Sequence, residues 1–185
     1  KIPGIHNVYN SLAAIAVGLE LKVPFAVIQE ALAQFRGVQR RFQVREEKQG
    51  IIWVDDYGHH PTEIKTTLRT AKEVWQRRLV VVFQPHRYTR TRDLYQEFMV
   101  AFYDADVLLV TDIYPAGESP IPEVTAQVLC EGLKDHGCKD VTHISSGDEM
   151  RAHLKSILRT GDIVLTLGAG DVWKAGETLM QELPG

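Results

Sequence analysis

Three short, mainly apolar runs, Leu79–Phe83, Val107–Val110 and Ile163–Leu167, and a shorter mixed one, Val141–Ile144, recur along this chain with helix-length stretches between them. This spacing constrains the fold more than any other feature. Apolar runs of this length, without alternation, are strands buried on both faces, and the intervening segments are long enough only for helical crossovers. The spacing predicts helices over 61–77, about 91–104, about 122–135, 147–159 and about 171–182, the last ending near Pro184. A further strand is expected at Ile51–Val54, after the turn at Gly50, and another around Phe42 and Val44. Strand and helix alternating in this way imply an α/β fold, with a doubly wound, mostly parallel sheet and right-handed crossovers covering both faces.

The first 37 residues follow a different pattern. Asn7 is a credible N-cap for a helix carrying Leu12, Ala13, Ile15, Ala16 and Leu19, and Pro24 opens a second helix closed near Gly37. A domain boundary is therefore expected near residue 40, with a helical segment at 1–40 and a domain of about 145 residues at 41–185. The chain begins at Lys1, in what reads as a loop entering a helix, and is expected to be the C-terminal part of a longer protein.

Composition narrows the function. With 21 Lys and Arg against 24 Asp and Glu, the net charge of −3 argues against a general nucleic-acid binder, which needs a basic surplus. No apolar run approaches the roughly 20 residues that span a membrane. The two cysteines, Cys130 and Cys138, make neither a disulfide framework nor a metal pattern, so reduced thiols in a cytoplasmic protein are expected.

In an open parallel sheet, ligands bind beyond the carboxyl ends of the strands. Four of those ends carry polar residues, aromatics and glycines: Asp55-Asp56-Tyr57-Gly58-His59-His60-Pro61, Gln84-Pro85-His86-Arg87-Tyr88-Thr89-Arg90, Thr111 to Glu118, and Gly168-Ala169-Gly170-Asp171. The opposite connections (Arg77-Arg78, 104–106, 139–140 and 160–162) read as ordinary solvated loops. Asp55 and Asp56 should point to opposite faces of their strand. One suits a ribose diol, although turn and capping chemistry also places carboxylates there. Adjacent His59 and His60 seldom ligate one metal together, and no zinc spacing completes them. They either position a small charged substrate or form a helix entry before Pro61. His86, Arg87, Arg90 and Arg92 crowd a helix start, where cations are disfavoured. That conflict marks an anion site, since guanidinium forks match carboxylate or phosphate; the alternative is a solvated patch paired with Asp93 and Glu97. The Gly168–Asp171 turn is half of a dinucleotide fingerprint and weak by itself, and no Gly-x-x-x-x-Gly-Lys-Ser/Thr loop occurs in the chain.

Taken in order, these clusters resemble the Mur ligases of bacterial cell-wall synthesis. Gly4-Ile5-His6-Asn7-Val8-Tyr9-Asn10 is similar to the end of their central ATP-binding domain, and Gly37-Val38-Gln39-Arg40-Arg41-Phe42 to the junction that follows it. The motifs 55–63, 83–92 and 111–118 look like the alanine-adding branch. The resemblance covers essentially the whole chain. It implies a Rossmann-like C-terminal domain at 41–185, preceded by the helical end of the ATPase domain. It also implies amide formation through an acyl phosphate, with ATP and Mg2+, from UDP-N-acetylmuramate and L-alanine.

Carried over by residue, Asn10 would bond the adenine, with His6 and Asn7 lining that pocket. Arg41 would reach ribose or phosphate, and Asp56 the ribose hydroxyls. Tyr57, His59, Arg87 and Arg90 would orient L-alanine and the reacting carboxyl group, with His59, Arg87 and Arg90 as the catalytic set. The phosphate loop, the principal metal ligands and the UDP-sugar domain would lie upstream, so no metal ligand is assigned here and the chain is expected to be inactive alone. Two rivals compete with this reading: a tripeptide-recycling ligase sharing Asp-Asp-x-x-His-His-Pro, and a non-catalytic module whose Arg87, Arg90 and Arg92 dock an anionic partner.

Overall fold

In a computed structural model of the chain, residues 2–145 and 147–183 are described, and two compact units are present, 1–39 and 40–185. The expected end of the last helix near Pro184 lies outside the described residues.

The first unit holds α1 (Ile5–Glu20) and α2 (Phe25–Gln34). The expected cap at Asn7 is displaced: Gly4 is the N-cap, and Asn7 lies inside α1, its side-chain amide donating back to the Pro3 carbonyl at 2.7 Å. A helix entry built on glycine leaves Asn7 no capping role. Pro24 is likewise the N-cap of α2 rather than its first residue, and the helix stops at Gln34, before Gly37, because Phe35 is extended. Among the described residues of this unit, Ile28 is the one large apolar side chain that is buried, while Ile5, Val8, Tyr9, Leu12, Val17 and Phe25 are exposed.

The second unit is an α/β fold around a six-stranded sheet in the order β1-β2-β6-β3-β4-β5. Its strands are β1 (Gln43–Lys48), β2 (Ile51–Asp56), β3 (Leu79–Phe83), β4 (Val107–Val110), β5 (Val141–His143) and β6 (Ile163–Leu167). β2, β6, β3, β4 and β5 run parallel, and β1 pairs antiparallel at the edge through the hairpin at Gln49-Gly50. The strands alternate side chains between two cores, as the pleat requires. Ile52, Val54, Val81, Phe83 and Leu165 pack with α3 (Pro61–Trp75), α5 (Tyr95–Met99) and α6 (Ala126–Asp135). Trp53, Val80, Val82, Leu109 and Val164 pack with α7 (Gly147–Ile157) and α8 (Trp173–Glu182). Helices thus cover both faces of a mostly parallel sheet, as the spacing of the apolar runs predicts.

The single helix expected over 91–104 is two short ones, α4 (Tyr88–Asp93) and α5. Leu94, at φ −107° and ψ 21°, breaks them apart. The helix before β5 starts later than expected, where Thr125 caps it by accepting from the Val128 N–H at 3.1 Å. The connections at the opposite edge are also more than solvated loops. Asp162 is buried, accepting from Arg78 Nη1 and from the Arg159 N–H, both at 2.8 Å. Asp106 pairs with Lys72 and accepts the Leu79 N–H at 2.6 Å.

Candidate functional site

The carboxyl ends of β2, β3, β4 and β6 converge, and the backbone between them is knitted together. The Gly168 N–H donates to the Asp56 carbonyl at 3.1 Å, the Gln84 N–H to Leu167 at 2.9 Å, and the Arg87 N–H to Tyr114 at 2.8 Å. His86 and Tyr114 form an isolated parallel bridge that prolongs the β3–β4 pairing past the strand ends.

Asp55 and Asp56 do face opposite ways. Asp55, 1% exposed, accepts from Thr166 Oγ1 at 2.8 Å and from Arg40 Nε at 2.9 Å. Asp56 accepts the Gly58 N–H at 2.6 Å through one oxygen and the Phe42 N–H at 2.7 Å through the other. Burial pushes the Asp56 carboxyl above its ordinary range, against the pull of those two N–H groups and Arg41. Each oxygen retains a lone pair, so Asp56 anchors its loop first and has acceptor capacity left for a hydroxyl.

The loop after β2 is held by Glu63. Its Oε2 accepts the N–H groups of His59 (3.0 Å) and His60 (3.2 Å), and Oε1 meets Arg41 Nη1 at 3.4 Å. His60 caps α3, its Nδ1 accepting the Thr62 N–H at 3.2 Å, with Pro61 at the first helical position. The two histidines are therefore divided in role: His60 belongs to the helix entry, and His59 turns toward the site. His59 Nδ1 lies 3.0 Å from the Tyr57 carbonyl. A carbonyl can only accept, so Nδ1 carries the proton and Nε2 presents the lone pair in the neutral ring.

Tyr57, His59, His86 and Tyr114 form a continuous row of rings. Successive centroids are 5.6, 5.5 and 5.5 Å apart, and the last pair is stacked at 12°. Guanidinium groups border this row. Arg41 lies 5.6 Å from the Tyr57 centroid. Arg90 Nη1 donates to the His86 carbonyl and reaches His86 Nδ1, both at 3.1 Å. An arginine cannot accept, so His86 keeps its lone pair on Nδ1 and its proton on Nε2, the opposite tautomer to His59. Burial, with His59, Arg90 and Arg87 nearby, lowers the His86 pKa and favours the neutral ring.

Arg87 occupies the left-handed region at φ 75°, a conformation held at a non-glycine residue by its surroundings. Its side chain is half exposed and lies 3.7 Å from Glu118, which also accepts from the Thr89 N–H (3.0 Å) and hydroxyl (2.6 Å). Arg92 points elsewhere and pairs with Asp93 at 2.7 Å, so the basic cluster splits into site residues and one surface pair. A shallow cleft of about 160 Å3 between α4, α5 and α6, lined by Arg92, Tyr95 and Val128, lies on that side, away from the ring row.

The glycine turn after β6 is closed by the protein itself. Gln84 Oε1 accepts the N–H groups of Asp171 (3.0 Å) and Val172 (3.3 Å), and its amide donates to Asp171 Oδ1 at 3.0 Å. Backbone donors that would cradle a phosphate in a dinucleotide fold are thus engaged by a side chain. Gly168 is required for this approach: at φ 148° a Cβ would stand 2.9 Å from the Gln84 carbonyl oxygen. In the first unit, the His6, Asn7 and Asn10 side chains meet on one face of α1. The Asn7 amide is 3.0 Å from His6 Nε2, Asn10 is 3.5 Å from Asn7 Oδ1, and the buried His6 Nδ1 lacks a partner.

Tyr57, His59, Arg87 and Arg90 come together at this edge as expected, whereas Glu63, Gln84, Glu118 and Arg40, which stand in the motifs without an expected role, hold it in place. Glu63 had a visible signal, an acidic residue three positions after a helix entry; the others act through contacts distant in sequence. Among the described residues no three His, Cys, Asp or Glu side chains converge on a metal position, and no helix is long and apolar enough to cross a membrane.

Residues 40–170 match the family described as Mur ligase, glutamate ligase domain. The chain is 58% identical over all 185 residues to the UDP-N-acetylmuramate–L-alanine ligase of Geotalea uraniireducens, and 57% identical over 184 residues to that of Geobacter sulfurreducens. It spans about 40% of the length of each. Among solved structures it is similar to the UDP-N-acetylmuramate-alanine ligase of Thermotoga maritima, with TM-score 0.79 and 34% identity over 97% of this chain and 38% of that one. A murein peptide ligase from Psychrobacter arcticus shares the fold, with TM-score 0.73 and 24% identity over 98% of this chain and 37% of that one. With the family match running through the whole ring row and its arginines, this chain belongs to the Mur ligase family.

Proposed function

We propose that this chain is the C-terminal part of an ATP-dependent cytoplasmic ligase that joins L-alanine to UDP-N-acetylmuramate in peptidoglycan precursor synthesis. The observation that carries the reading is the convergence of Tyr57, His59, Arg87 and Arg90 at one sheet edge, in a chain 55–59% identical to proteins named for that reaction. His6, Asn7 and Asn10 contact the adenine, Arg41 the ribose or phosphates, and Asp56 the ribose hydroxyls. The acceptor capacity left on Asp56 and the unpartnered His6 Nδ1 suit those partners. ATP supplies the phosphoryl group that activates the substrate carboxylate. The phosphate loop, the Mg2+ ligands and the UDP-sugar site belong to the upstream domains of the same protein.

The residues of this chain then handle the amine. Arg87 and Arg90 pair with the alanine carboxylate as guanidinium forks do. His59 Nε2 takes the proton released as the nitrogen attacks the acyl carbon; the C–N bond forms and phosphate leaves. His86, held as the Nε2–H tautomer by Arg90, donates a hydrogen bond and does not serve as base. Reading Arg87 as an acceptor contact predicts that Arg87→Ala in the full-length ligase raises the KM for L-alanine about tenfold, the worth of one charge-assisted hydrogen bond. KM for ATP is expected to stay unchanged. A change confined to ATP would overturn the assignment.

A further inference from the structure

Where the second unit begins, Arg40 and Phe42 both adopt left-handed backbone, at φ 56° and 46°. Such conformations at non-glycine residues persist only where surrounding contacts over-determine them. Here the contacts come from the end of β2. The Tyr57 N–H donates to the Arg40 carbonyl at 2.6 Å, and Asp56 accepts the Phe42 N–H at 2.7 Å. The Arg40 side chain adds a second anchor. Nε pairs with the buried Asp55 at 2.9 Å, Nη2 donates to the Gly168 carbonyl at 2.7 Å, and Nη1 to the Gly170 carbonyl at 3.1 Å. Asp55 is itself fixed through Thr166, whose hydroxyl oxygen accepts from Trp53 Nε1 at 3.1 Å. Arg41, between the two strained residues, is exposed and stands beside Tyr57.

We propose that Arg40 is a positioning residue: clamped between Asp55 and the Gly168–Gly170 turn, it holds the 40–42 turn so that Arg41 is presented to the nucleotide. The inference rests on the reading of Arg41 as a nucleotide contact. Lysine can pair with Asp55 but lacks the planar fork that reaches the carboxylate and both carbonyls at once.

The test is a double-mutant cycle on KM for ATP in the full-length ligase, with Arg40→Lys, Arg41→Ala and the double variant. Arg40→Lys keeps the buried Asp55 charge paired; Asp55→Asn, neutral at the other end of the clamp, serves as a second probe. Arg40→Lys and Asp55→Asn are each expected to raise KM for ATP about tenfold, the scale of one charge-assisted hydrogen bond. In the Arg41→Ala background both effects should largely vanish, because the side chain they position is gone. Effects that multiply in both backgrounds, or no effect of Arg40→Lys, overturn the inference and leave the Arg41 reading standing. An Arg41→Ala variant with unchanged KM for ATP overturns both.

Discussion

Replacing Glu63 with alanine tests how the loop that carries His59 is held. The carboxylate accepts two N–H groups, from His59 at 3.0 Å and His60 at 3.2 Å, at the N-terminus of α3. Because the Glu63 carboxylate is partly solvated, each of these bonds contributes about 1 kcal/mol net, below the range for a buried charged acceptor; the helix dipole adds roughly 0.5, and the exposed Arg41 pair close to nothing. The loss should be about 2.5 kcal/mol, which in a chain of this size lowers Tm by roughly 5–10 °C. Glu63→Gln keeps an acceptor without the charge and should lose about half as much. Burial raises the Glu63 pKa, but the His59 and His60 N–H groups, with His59 and Arg41 nearby, outweigh it and leave the carboxyl below its ordinary 4.5. A depressed carboxyl stabilises the fold above its unfolded value and loses that contribution as pH falls through its folded value. The gap between wild type and Glu63→Ala, followed by circular dichroism, should therefore be full at neutral pH and close in acid. A loss below about 0.5 kcal/mol at pH 7 would mean that the cap is solvated rather than structural.

Other consequences follow from the same geometry. Thr166→Val should cost about 2–3 kcal/mol in urea unfolding, because it strands the Trp53 N–H and one Asp55 oxygen in the core; a loss under about 1 kcal/mol would argue against the buried chain. His86 should titrate below its ordinary 6.5, and Arg90→Gln should move its midpoint upward by removing a neighbouring positive charge, as read by NMR. A downward move would mean that Arg90 does not act on the ring through its charge. Because its pKa falls on folding, His86 should also withdraw stability as pH drops through the unfolded value. Gly170→Ala, whose Cβ would collide with the Gln84 amide oxygen and the Tyr114 ring, should destabilise by roughly 1–3 kcal/mol in thermal melts. Cys130, whose thiol burial pushes up to about 11, should react with a thiol reagent only when the chain unfolds.

The parallel sheet was legible because runs such as Val80–Val82 and Val164–Leu165 bury both faces and leave no polar alternation to confuse with an edge. The site edge was legible for the same reason: once strand direction is known, Asp56, Tyr57, His86 and Arg87 must emerge at the carboxyl ends. What sequence could not show were partnerships between distant residues. Arg40 is 128 residues from Gly168, and Gln84 is 87 from Asp171, so neither clamp leaves a local pattern. Local signals also misled. Asn7 has the chemistry of a cap, but Gly4 enters the helix first, and the apolar spacing through 91–104 hides the break at Leu94. The acidic residues of the opposite edge read as loop solvation because Asp162 and Arg78 meet only in the folded sheet.

We propose above that this chain carries the acceptor side of an alanine-adding ligase. Turnover by the full-length protein tests it most directly, with ATP, UDP-N-acetylmuramate and either L-alanine or L-Ala-γ-D-Glu-diaminopimelate, and with residues 1–185 alone as a control. Phosphate release and amide formation are expected with L-alanine, none with the tripeptide, and none from the isolated chain. Preference for the tripeptide, or turnover by the isolated chain, would contradict it.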